Sequence, residues 1–88
     1  MNTYKINHRA ICPNTQTIDS YEITITAYST IMVESINDAI YNAPMEIFQE
    51  ALADYLFDEL KANVRVEGWH QGVLIISDRS NVQRLCRD

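Results

Sequence analysis

Glycine and proline are scarce in this chain, two of each in 88 residues, and the scarcity rules out whole classes of site. Gly68 and Gly72 stand in one segment, EGWHQG, and two glycines around Trp69, His70 and Gln71 do not make the backbone cradle that a phosphate needs. Cysteine is equally rare. Cys12 and Cys86 lie near opposite ends without C-x-x-C spacing, so neither a metal nor a dithiol motif has support, and both are expected as reduced thiols. No run of about 18 apolar residues occurs. The opening MNTYKINHR lacks the apolar stretch that follows the charge in a secretory signal. Together these absences predict a cytoplasmic protein. His8 and His70 are the only histidines, far apart and unattended by a ligand cluster, so neither a metal nor a cofactor is expected.

Basic residues are also few, seven against twelve acids, for a net charge of −5. Nonspecific attraction to nucleic acid or an anionic membrane is disfavoured, because both are negative themselves. Lys5, Arg9, Arg65 and Tyr28 on a wet sheet face could meet phosphates and a base, but they are outweighed by the acids. No direct nucleic-acid partner is expected. The charge is unevenly placed: Glu34 to Glu59 holds seven acids and no Lys or Arg, while Lys61 onward holds five bases against three acids.

What is present is a hydrophobic share of 47%, enough for a modest core, in a chain short enough to form one α+β domain over residues 1–88. TYKINHRAI alternates Tyr4, Ile6, His8 and Ala10 on one side with Lys5, Asn7 and Arg9 on the other; YEITITAY alternates again, with Tyr21, Ile23, Ile25 and Ala27 inward. The CPNTQT turn between them predicts an antiparallel hairpin with one wet face. STIMV reads as an extended or bulged continuation. At Ser35 the period changes, and Ser-Ile-Asn-Asp offers a capping box for a short helix over about 36–42. Pro44 is then expected at the first turn of a second helix reaching about Ala62. Val64–Val66 and Val73–Ile76, separated by EGWHQG, predict a second hairpin with Trp69 in its glycine-bounded turn. The expected fold is an antiparallel sheet of two hairpins with two consecutive helices packed on one face. Residues 79–88 are expected to form a terminal helical turn or to fray.

The strongest pattern lies in EIFQEALADYLFDEL. On a helix, Met45, Phe48, Leu52, Tyr55, Leu56 and Leu60 share one apolar sector, and Glu46, Glu50, Asp54 and Asp58 form a ridge opposite. Each like-charged i,i+4 pair opposes the helix by roughly 0.2–0.5 kcal/mol. The ridge reads either as a solvated face or as a row of carboxylates, about 6 Å apart along the axis, that docks on a basic surface built for nucleic acid. Ile47 and Phe57 at its borders, and Trp69, are the candidate apolar anchors.

No nucleophile elbow, zinc-protease motif or phosphate loop appears, and the chain is expected not to be an enzyme. Were it one, His8 or His70 with Cys12 would be the first place to look. The small acidic layout resembles the phage-encoded anti-CRISPR proteins, and MNTY with Ile6 and Arg9 is similar to the start of a type I-E family. That resemblance implies a stoichiometric, noncatalytic inhibitor of a host CRISPR surveillance complex, acting in the host cytoplasm. The expected function is thus a protein-binding inhibitor that presents Glu46, Glu50, Asp54 and Asp58 to a basic host complex. The alternative is a structural or regulatory homo-oligomer, at its simplest a homodimer, associating through a sheet edge or Trp69.

Overall fold

A computed structural model describes residues 1–80. Strands β1 (Asn2–Ile11) and β2 (Ile18–Ala27) are followed by helices α1 (Val33–Asn42) and α2 (Gln49–Leu60), then strands β3 (Asn63–His70) and β4 (Val73–Arg79). The four strands form one antiparallel sheet in the order β1-β2-β3-β4. This is the expected α+β fold of two hairpins and two helices. The helix pair connects the two hairpins along the chain, and α2 packs on β3 and β4 with α1 against it.

Strand alternation fixes the inner face. Three rows cross the sheet: His8–Tyr21–Gly68–Ile75, Ile6–Ile23–Val66–Ser77 and Tyr4–Ile25–Val64–Arg79. Ile23, Ile25 and Val66 from these rows meet Leu52 and Leu56 of α2, and all five are fully buried. The alternation read for the first hairpin therefore placed the correct residues inward, and the second hairpin forms where its two runs were expected. The β3–β4 reversal is tighter than expected, because Gly68 and Trp69 belong to the strand and the turn is Gln71-Gly72 alone. Both turn residues have positive φ, 50° and 83°, as a two-residue turn matched to strand twist requires.

The helices depart from expectation at their starts. α1 begins at Val33 after Met32, with no side-chain cap bond, so Ser35 lies inside the helix instead of capping it. Pro44 does not open α2. The backbone from Met45 to Ile47 is instead drawn to the end of β1, whose outer edge has no strand beside it among the described residues: Ile11 N–H donates to Met45 O at 2.7 Å, and Ile47 N–H donates to Ile11 O at 3.0 Å. Helix α2 starts only at Gln49, and its buried positions are Gln49, Leu52, Ala53, Leu56 and Phe57. Of the expected tail, Arg79 closes β4 and residues 81–88 lie outside the described residues.

His8 carries a cost in this arrangement. Its Nε2 is buried with no hydrogen-bond partner among the described residues, and burial lowers its pKa below the ordinary 6.5. A histidine whose folded pKa is depressed binds its proton better when unfolded. Its contribution is neutral above pH 6.5 and becomes destabilising as pH falls through 6.5 toward the folded value. Urea midpoints at pH 7.5 and pH 5 are therefore expected to drop further for the natural protein than for His8→Phe. Equal drops would remove His8 from the acid response.

Candidate active site

The bridge between Ile11 and residues 45–47 brings the start of α2 beside the residue that follows β1, which is Cys12. A cleft of about 790 Å³ opens there, lined by Cys12 and Thr15 of the β1–β2 loop, Asp19 of β2, Phe48, Gln49 and Glu50 at the start of α2, and His70 of β3. Such a volume suits a small organic ligand. The loop is closed by Cys12 N–H donating to Thr17 O at 2.9 Å and Gln16 N–H donating to Cys12 O at 2.8 Å.

Cys12 is half-buried and free. Its thiol pKa lies below the ordinary 9.0 because the Thr15 hydroxyl, the Thr15 N–H and the Asn14 N–H all donate toward the sulfur; burial and the Asp19 charge oppose the shift without reversing it. Donors aimed at sulfur favour the thiolate, which is the nucleophilic form. Asp19 faces His70 with Oδ2 3.5 Å from Nδ1, both side chains largely covered. Tyr21, buried beneath them, directs its hydroxyl to the same Oδ2 at 3.5 Å. Burial, the charges of Asp19 and Cys12, and that bond push the phenol up to about 12, so it remains a donor at any physiological pH. Among the described residues, no group of three or more His, Cys, Asp or Glu is placed to hold a metal ion.

The residues singled out from sequence are dispersed. Glu46 lies before α2, in the bridge to Ile11. Glu50 and Asp54 line the cleft, and Asp54 is paired with Arg79 of β4 at 2.5 Å. Asp58 is exposed further along α2. The row of four is therefore broken, and its third member is neutralised from within the chain. Ile47 packs half-buried against the core, and Phe57 is part of the core. Trp69 is 65% exposed, in a strand and opposite Leu74. Sequence reasoning passed over Asp19, Gln49 and Thr15. Cys12 and His70 had been named together only as the place to look for chemistry.

The antiparallel ββααββ arrangement defines the class. No family model and no curated protein matches the sequence. Among solved structures, the apo crystal structure of the archaeosine synthase QueF-Like matches with a TM-score of 0.77 and 21% identity over 89% of each chain. At that identity the shared property is the fold. It overturns the anti-CRISPR resemblance, which rested on nine N-terminal residues and a general layout, whereas the QueF-like match covers nearly the whole chain. The phage-inhibitor function, with its acidic helix docked on a host complex, falls with it. The homo-oligomeric alternative gains no support from the match either.

Proposed function

We propose that the chain is a cysteine-dependent enzyme acting on a small planar nitrogen heterocycle, a nucleobase or its nucleoside, in place of the non-enzymatic protein expected from sequence. The observation that carries this reading is the placement of Cys12, a free cysteine whose thiol pKa is lowered, in the wall of a ligand-sized cleft shared with Asp19 and His70. In the first step the Cys12 thiolate adds to an electrophilic carbon borne by the ring. The sulfur–carbon bond forms, the displaced π pair moves to the attached nitrogen or oxygen, and that atom takes a proton held at Asp19.

The cleft also selects its ligand. Glu50 lines it with no cationic partner among the described residues, which disfavours phosphate and suits the N–H edges of a heterocycle, and Phe48, 55% exposed, offers a flat apolar face. A net charge of −5 favours a free base or nucleoside over a polynucleotide. The name of the structural neighbour, archaeosine synthase, agrees with a ligand of nucleoside type.

The test uses 6-chloropurine, in which a thiolate displaces chloride at a ring carbon. Intact-mass and peptide spectra are expected to show one adduct at Cys12, absent in Cys12→Ser and slowed in Glu50→Gln. Labelling of Cys12 no faster than free cysteine would overturn the proposal.

A further inference from the structure

The amide of Gln49 is buried and held from several sides. Its Nε2 donates to Val66 O at 2.9 Å and to Ile75 O at 2.8 Å, with Ser77 Oγ at 3.4 Å. Carbonyl oxygens only accept, so the amide cannot be flipped, and Oε1 must be the atom 3.0 Å from His70 Nε2. An amide oxygen also only accepts. A hydrogen on His70 Nε2 completes this contact, which leaves Nδ1 as the other ring nitrogen. Nδ1 is the nitrogen that faces Asp19.

Building on the enzymatic reading above, we propose that Gln49 is a positioning residue that makes His70 Nδ1 and the Asp19 carboxyl share one exchangeable proton, the proton delivered when Cys12 adds to its substrate. The contact is favourable as a carboxylic acid donating to bare Nδ1 or as an imidazolium facing a carboxylate, and both hold one proton. Delivery leaves neutral His70 and ionised Asp19, and solvent at the open cleft restores the proton. Tyr21 from β2 contacts this pair, and the titratable groups that line the same cleft are Cys12 from the β1–β2 loop, Glu50 from α2, and Asp54 from α2 paired with Arg79 of β4. Of these, Tyr21 does not titrate in the working range.

Two measurements decide it. In ¹⁵N-histidine spectra of the unmodified protein at high pH, neutral His70 is expected to populate the Nε2–H form over the Nδ1–H form by about tenfold, the ratio expected from one net hydrogen bond. The ratio should fall to that of free histidine or below in Gln49→Met. A dominant Nδ1–H form overturns the proposal, and this reading needs no variant to fold and no thiol to react. In the second measurement, the rate of Cys12 alkylation by iodoacetamide, followed in a Cys86→Ser background, is expected to show two inflections with pH: the thiol's own and that of the shared proton. His70→Asn should remove the second. Its persistence overturns the relay with the nucleophile intact, whereas an inert Cys12 defeats the enzymatic reading while the spectra still decide the tautomer.

Discussion

Removing the Thr15 hydroxyl is expected to slow the chemistry at Cys12, and replacing the sulfur is expected to end it. With Cys12→Ser, no covalent product should form with 6-chloropurine, because a serine hydroxyl has no comparable ionised fraction near neutrality. Thr15→Ala tests the cause. The hydroxyl is the largest of the influences that lower the thiol pKa, followed by the Thr15 and Asn14 N–H groups, which the substitution leaves in place. The sign is fixed by charge: a donor stabilises thiolate over thiol, so its loss raises the pKa and lowers the thiolate fraction at pH 7. The iodoacetamide rate at pH 7 should fall by roughly two- to tenfold, the effect of one hydrogen bond, and the pH–rate curve should move to higher pH while its plateau changes little. A lower plateau at an unchanged midpoint would mean that Thr15 controls access to the sulfur and not its ionisation.

The first hairpin was legible in the sequence because a half-buried strand repeats every two residues, and the β1 and β2 members of each inner row followed from the alternation of Tyr4 to Ala10 and Tyr21 to Ala27. The start of α2 was not legible. Periodicity alone allowed Pro44 to Phe48 to continue the helix, and what prevents it is the pair of backbone groups of Ile11 at an uncovered strand end, a tertiary partner that no local pattern encodes. That shift moves Glu46 off the helix, while Glu50, Asp54 and Asp58 stay exposed along α2 and Phe57 lies in the core. Asp19 and His70 meet because one strand register aligns them across β2 and β3, and Gln49 joins them from α2. Pairings of that range lie beyond spacing arguments. The signal that was available is local: CPNT places two N–H groups and a hydroxyl within three residues of a thiol, the composition of a turn that folds back on its own cysteine.

Gly68→Ala is expected to damage stability and site together. Alanine in a strand interior would ordinarily be worth about 0.5–1 kcal/mol over glycine, since it loses less backbone entropy on folding. Here the added Cβ would stand 2.5 Å from Cδ1 and 2.6 Å from Cε1 of Tyr21, and 3.1 Å from Gln49 Oε1. None of these neighbours yields easily. The Tyr21 ring is buried and tethered to Asp19, and Gln49 is held by two carbonyls. Overpacking of this kind costs about 1–3 kcal/mol, enough to outweigh the entropic gain. The urea midpoint should fall, and the melting temperature should drop by several degrees, at about 4–8 °C per kcal/mol for a domain of this size. Because Tyr21 and Gln49 hold Asp19 and His70 in place, adduct formation at Cys12 should slow even at temperatures where the variant is folded. Tyr21→Leu supplies the control. If the clash with the ring is the cause, the double variant should be less destabilised than the sum of the two single changes, with the shortfall measuring the contact. Strict additivity, or a Gly68→Ala protein as stable and reactive as the natural one, would show that the close approach of Tyr21 to the β3 backbone is not what organises the cleft.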